Sequence, residues 1–173
     1  MSFPIFPNMP ESSKLLVFTA DNALDAIASS SFLMRLNTFL STWSSHGSQL
    51  EANSLLISNR VLFIAVDETK SMASGCSVDA FTNFMKSECA STGVDWFNRH
   101  QVLHRSSSDN DVFSDWMVNT LDDFIKLVKS GSLAENIQTL NTSLTTLKEG
   151  RASLIQSFQE SWYYRMIWPV FSS

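Results

Sequence analysis

The strongest constraint on the fold is a pair of apolar segments in the first half of the chain, residues 50–58 and 61–67. Only Asn59 and Arg60 separate them, a spacing that predicts a β-hairpin. The second segment, VLFIAVD, is almost continuously apolar, which is typical of a central strand buried on both faces. The sequence therefore predicts a sheet built around residues 61–67.

The segments on either side of this hairpin predict two helices and two more strands. Residues 14–21 and 101–105 have the apolar content of strands. Between these strands, two sets of apolar residues recur at helical steps and predict two helices. Asp21 or Asn22 is the expected cap of the first helix, and Ser77 that of the second. The apolar residues are Leu24, Ala28, Phe32, Leu36, Phe39 and Trp43 in the first helix and Val78, Phe81, Met85 and Cys89 in the second. The order β-α-β-β-α-β predicts an α+β fold of the ferredoxin-like βαββαβ plait, mainly antiparallel.

The two ends of the chain are expected to differ from this plait. Residues 1–13 contain three prolines, which predicts an extended arm before a single α+β domain over residues 14–173. Residues 106–173 predict a helical C-terminal third, from apolar residues at helical steps and from Ser132 and Glu135 at capping-box spacing. These apolar residues are Phe113, Met117, Leu121, Phe124, Val128, Ile137, Leu140, Leu144 and Leu147.

The composition and the distribution of charged and apolar residues indicate which classes of binding partner to expect. The net charge is −5, from 12 basic and 17 acidic residues, and the basic residues are scattered, so nucleic acid is not an expected partner. No segment approaches the roughly 20 apolar residues of a membrane span, and the N-terminus does not resemble a signal peptide, so a cytoplasmic protein without a membrane partner is expected. The aromatic tail, residues 162–171, predicts either docking in a groove or an interface, such as one in a homodimer.

Candidate site residues come from two loops that the plait would place at the same end of the sheet. The first loop holds His46, and the second holds Asp67, Glu68 and Cys76. A thiol near a helix start, an imidazole and two carboxylates are groups that can act as nucleophile, base and orienting acid. The surrounding pocket is expected to include four more residues: Trp43, Ser74, Ser77 and Asp79.

Three functions are compatible with these residues. The first is a non-enzymatic domain that binds a small molecule or a protein through this pocket or through the aromatic tail. The second is a small hydrolase or thiol enzyme with Cys76 as nucleophile, His46 as base, and Asp67 or Glu68 as orienting carboxylate. The third is metal binding by the same four residues. The chain has no P-loop, no GxGxxG and no CxxC motif, so no cofactor is expected.

Several short segments resemble a family of small uncharacterised proteins from Bacteroidetes-type bacteria. They are residues 43–47 (WSSHG), 65–68 (AVDE), 74–79 (SGCSVD), 93–99 (GVDWFNR), 141–142 (NT), 145–146 (TT) and 160–162 (ESW). Members are sometimes labelled "ABC transporter ATPase", although this chain lacks a P-loop. The resemblance implies no reaction. The chain departs from the family at Asn98, where the family has an aspartate before the arginine.

Overall fold

The computed structural model describes residues 5–98, 100–106, 116–133 and 136–167. The strands are β1 (Lys14–Thr19), β2 (Ser44–Ser45), β3 (Ser48–Gln49), β4 (Glu51–Ile57), β5 (Val61–Asp67), β6 (Gln101–Ser106), β7 (Met117–Thr120), β8 (Ile137–Leu140) and β9 (Ile155–Ser157). The helices are α1 (Ala26–Thr42), α2 (Gly75–Thr92), α3 (Leu121–Lys129), α4 (Leu147–Ser153) and α5 (Trp162–Ile167), with a 3₁₀ turn at Phe158–Glu160. The predicted α+β class with antiparallel sheets is confirmed.

The predicted hairpin forms the centre of the first sheet. This sheet has the order β1-β5-β4, with antiparallel pairing on both sides of β5. Ser58 and Asn59 make the turn with φ of 50° at each residue. Every residue of β5 is buried because helices cover one face of the sheet and a second sheet covers the other.

Helices α1 and α2 pack on one face of the first sheet, against the side chains of Leu62, Ile64 and Val66. The predicted caps were wrong by one turn in each helix. Asp25 caps α1 by accepting a hydrogen bond from the Ala28 amide at 2.8 Å. Ser74, rather than Ser77, caps α2, whose C-terminus ends at Gly93 with φ of 69°.

The ferredoxin-like plait was wrong at its fourth strand. Strand β6 pairs with β7 and β8 in a separate four-stranded sheet of order β7-β6-β8-β9, whereas the plait requires it to pair with β1. All of its first five residues are buried, because Leu103 packs toward the first sheet and Val102 toward α3 and α5. A strand buried on both faces can sit in either sheet, so its pattern alone does not identify its neighbours.

The predicted helical third is instead a mixture of short strands and helices. The apolar spacing of Ile137 and Leu140 predicts a helix, but these residues lie at the two ends of strand β8. Ile137 packs against α3 and Leu140 packs toward the first sheet, so the three-residue step reflects a strand covered on both faces. Phe113, and Glu135 of the predicted capping box, lie outside the described residues.

The elements stack in four layers: α1 and α2, the first sheet, the second sheet, and then α3 with α5. Three apolar clusters fill the spaces between adjacent layers. The middle cluster, between the sheets, includes Phe63, Leu103 and Leu140. Packing between the sheet faces therefore joins the two halves of the chain.

The N-terminal segment packs into the middle cluster through Ile5 and Met9. Residues 5–13, expected to be extended, instead make turns closed by hydrogen bonds from Met9 N to Phe6 O and from Ser13 N to Pro10 O, each 3.0 Å. The Arg151 guanidinium of α4 donates to the backbone oxygens of Ile5, Phe6 and Met9. Among the described residues, no helix combines the length and apolarity needed to cross a bilayer.

Candidate functional site

The structure brings the two predicted loops together at one end of the first sheet. The Ser74 amide donates to Ser45 Oγ at 3.2 Å, and Trp43 Nε1 donates to Ser77 O at 2.8 Å. Trp43 is 3% exposed, so its indole acts as a buried link between the end of α1 and the start of α2. The backbones of the two loops are therefore held next to each other.

The side chains of His46 and Cys76 lie on a turn and at a helix start. His46 and Gly47 are the two turn residues of the β2–β3 hairpin, with φ of 50° and 82°, a conformation typical of a type I′ turn. Cys76 lies in the first turn of α2, and both side chains are exposed. Within the described part of the chain, neither side chain donates or accepts a hydrogen bond.

The two carboxylates stabilise the loop that follows β5. Asp67 Oδ1 accepts a hydrogen bond from the Thr69 amide at 2.9 Å, and Glu68 Oε1 accepts one from the Ala73 amide at 3.0 Å. The Thr69 amide, followed by its hydroxyl and the Lys70 charge, lowers the pKa of the Asp67 carboxyl. These carboxylates therefore cap the turn that follows β5.

The remaining predicted pocket residues have structural roles or face solvent. Ser77 is buried, and its hydroxyl donates to Ser74 O at 2.8 Å within the capping turn of α2. Asp79 is exposed one turn into the helix. Among the described residues, no group of three His, Cys, Asp or Glu side chains has an arrangement that could hold a metal ion. The predicted metal site therefore finds no support in this geometry.

The aromatic residues outside these loops are mainly core. Trp96 and Trp116 are 1% and 8% exposed, so both side chains pack in the interior. Tyr163 and Ile167 of the predicted tail pack in the cluster under α3 and α5, and Trp162 is 41% exposed. Residues 168–171 of the tail lie outside the described residues.

A groove that sequence reasoning missed runs along the outer edge of β1, with a volume of about 450 Å³. One wall is β1 itself, and the opposite wall comes from the segment after β8 and from the start of α5. The lining residues are Leu15, Leu16, Val17, Phe18, Thr19, Trp96, Phe97, Gln101, Thr142, Ser143, Leu144, Thr145 and Trp162. The predicted plait did not allow for this groove, because the plait places its fourth strand along the outer edge of β1.

Two residues lining the groove carry buried polar atoms without a hydrogen-bond partner among the described residues. They are Trp96 Nε1, a donor, and Gln101 Oε1, an acceptor. Gln101 is 9% exposed, and its Nε2 donates to Asp21 O at 3.0 Å, so only its oxygen is unpaired. Unsatisfied buried polar atoms are uncommon in folded proteins, and two of the five among the described residues belong to side chains that line this groove.

No protein-family model, curated protein or solved structure matches this chain. The resemblance to small bacterial proteins therefore stays a prediction.

Proposed function

We propose that this chain is a non-enzymatic binding domain whose ligand occupies the groove along β1. The observation that carries the proposal is the groove itself, with its mostly apolar lining. Two of its lining side chains, Trp96 and Gln101, also keep a buried polar atom without a partner among the described residues. A volume of about 450 Å³ falls within the range of small-molecule sites, roughly 300–1,000 Å³. The aromatic tail, an expected contact surface, contributes Trp162 to this lining.

Two other grooves are weaker candidates for the ligand site. One of about 480 Å³ lies between α1 and the edge of β4, but its lining is mostly polar and contains no aromatic residue. Another of about 330 Å³ lies beside Asp67 and Lys70. Apolar walls with a few polar groups are typical of binding sites, and only the β1 groove has such walls among these three.

The thiol-enzyme alternative has less support. A nucleophile and its base require hydrogen-bond reach, and His46 and Cys76 instead occupy exposed positions on a turn and on a helix start. The carboxylates that would orient the base are engaged by backbone amides of the loop.

The proposal is tested with Nile red, an uncharged dye whose emission rises in apolar sites. We expect wild-type protein to bind it, with amide chemical-shift changes at residues 15–19 and at the Trp162 indole. Ser143→Trp should fill the groove from its exposed rim and reduce dye affinity about tenfold, the effect of losing roughly 1.4 kcal/mol of binding energy.

Ser30→Trp is the matched control, because Ser30 is exposed on α1 and does not line the groove. This variant adds the same side chain elsewhere and should bind the dye as wild type does. Chemical-shift changes confined to another surface, or equal binding by both variants, would overturn the proposal.

A further inference from the structure

The outer edge of β1 is paired at both ends and open in the middle. At its start, the Leu15 amide donates to Thr145 O at 2.8 Å, and the Leu147 amide donates to Ser13 O at 2.9 Å, closing an antiparallel bridge between Lys14 and Thr146. At its end, Thr19 forms a bridge with Phe97. The interruption between these bridges coincides with the groove.

Val17 carries the unpaired backbone N–H and C=O in this open part of the β1 edge. In an antiparallel pair, the N–H and C=O of alternate residues face opposite edges of the strand. Because the Leu15 amide faces away from β5, the N–H and C=O of Val17 face the same way, into the groove. Within the described residues, no hydrogen bond from a third strand or a side chain reaches them.

The groove lining is uncharged. None of the described residues that line it is Lys, Arg, Asp, Glu or His. A phosphate, a free carboxylate or an ammonium group would lose its hydration there without gaining an opposite charge. Apolar and aromatic side chains, among them Phe97, Leu144 and Trp162, are better suited to a neutral, apolar ligand.

The open part of the edge is short. The four residue steps from Leu15 to Thr19 span about 13–14 Å at the rise of an antiparallel strand. A segment of three or four extended residues would fill this length, and one of its residues would lie opposite Val17.

We propose that the ligand of this groove is a short, uncharged, extended peptide segment that adds to the edge of β1. One residue of the segment donates its N–H to Val17 O and accepts from Val17 N–H, while apolar side chains contact the aromatic wall. This inference rests on the proposed function of the groove and specifies the chemistry of its ligand.

The test uses the full chain and the capped peptide acetyl-Ala-Val-Phe-Ala-amide, with a series of versions that are each N-methylated at one residue. Methylation removes one N–H donor, and only alternate residues of a paired peptide face β1. We expect weaker binding of about tenfold on methylation at the residue opposite Val17, and less than about twofold at its neighbours, since one hydrogen bond contributes roughly 0.5–1.5 kcal/mol.

The comparison among peptides needs no protein variant, so a folding defect cannot explain it. Ser143→Trp should also weaken the unmethylated peptide, and Ser30→Trp should not. If Nile red binds in the groove but the peptide does not, the proposed function stands and the peptide inference fails. It also fails if all methylated peptides bind equally or if an uncapped, charged peptide binds more tightly.

Self-association is measured in parallel by sedimentation. Peptide binding to a monomer supports the inference. A concentration-dependent dimer that Ser143→Trp abolishes would mean that a second copy of the chain occupies the groove, and would overturn it.

Discussion

The two sheets of this protein lie face to face, but the elements around them differ in length. The first sheet has two strands of 7 residues, and the helices on it have 17 and 18 residues. In the second sheet, β7, β8 and β9 have 4, 4 and 3 residues, and the helices beside it, α3 and α5, have 9 and 6. Apart from β6, which has 6 residues as β1 does, the described elements of the second sheet and its helices are therefore shorter than those of the first sheet and its helices.

This difference in element length indicates which half of the chain depends on the other for its stability. Helices shorter than about 12–15 residues are marginal on their own, and very short strands need a packed face to persist. The second sheet obtains such a face from the first, through a shared apolar cluster that includes Phe63 and Leu103. We infer that the second half is stable only while it packs against β5.

The largest expected effect comes from substitutions on the two faces of β5. Phe63 faces the second sheet and Ile64 faces α1 and α2, and each is fully buried. Phe63→Ala should lower the free energy of unfolding by about 3–5 kcal/mol, and Ile64→Ala by about 2–5 kcal/mol. Hydrogen exchange should show that Phe63→Ala increases opening mainly in β6–β9, whereas Ile64→Ala increases it mainly in α1 and α2. An identical exchange pattern in the two variants would contradict the dependence of the second half on the first.

The separation in sequence between paired strands explains how much of the fold was predictable. The hairpin of β4 and β5 is local in sequence, so the apolar run of residues 61–67 identified its central strand. Strand β6 instead pairs with β8, where Arg105 lies opposite Gln138, 33 positions later. A single strand pattern contains no information about so distant a partner, and the fourth strand was therefore assigned to the wrong sheet.

Helix caps show the limit of local signals. Asp21, Asn22 and Asp25 are all capping residue types within five positions. Asp21 is used elsewhere, because its Oδ1 accepts from the Asp95 amide at 2.9 Å across the fold. Tertiary contacts, which the sequence pattern does not display, decide which residue caps the helix.

The candidate site was predictable in its backbone and not in its chemistry. Consecutive loops around a hairpin must meet at one end of a sheet, and Ser45 and Ser74 do so. The positive φ of His46 and the Thr69 amide bound by Asp67 depend on turn geometry, which residue types do not specify. The β1 groove had no sequence signal, since it exists where the expected fourth strand is missing.

A smaller effect is expected from an ion pair within the first half. Glu88 of α2 is 4% exposed and accepts two hydrogen bonds from the Arg35 guanidinium of α1, at 2.8 and 2.6 Å. Arg35→Met would leave this carboxylate without its partner. Since the Arg35 side chain is 41% exposed, water would offset part of the loss, and we expect about 1–2 kcal/mol in chemical denaturation.

Lys70→Met is the matched control for this ion pair. Lys70 bonds to Glu51 at 3.0 Å, but both side chains are mostly exposed, so its loss should be far smaller. Hydrogen exchange after Arg35→Met should change in α1 and α2 and leave β6–β9 protected, because the pair does not touch the second sheet. Equal destabilisation by the two substitutions would show that the burial of Glu88 does not increase the stabilising effect of its ion pair with Arg35.

The smallest effect, confined to acid conditions, should come from His104 in the second half. His104 is 1% exposed, its ring packs against Phe124, and its Nε2–H donates to Asn119 Oδ1 at 2.6 Å, while Nδ1 has no partner among the described residues. Burial lowers the pKa of His104, and the bond to Asn119 only partly opposes this shift. The unfolded chain therefore binds the proton more readily than the folded chain. The contribution of His104 to the free energy of unfolding is complete above about pH 6.5 and falls as the pH drops toward the folded pKa.

His104→Gln, which retains a donor for Asn119, should flatten the pH dependence of the free energy of unfolding between pH 5 and 7. His100→Gln, at an exposed position, should leave the slope unchanged. A slope that both variants share with wild type would show that His104 is not the source of the acid sensitivity and would contradict this prediction.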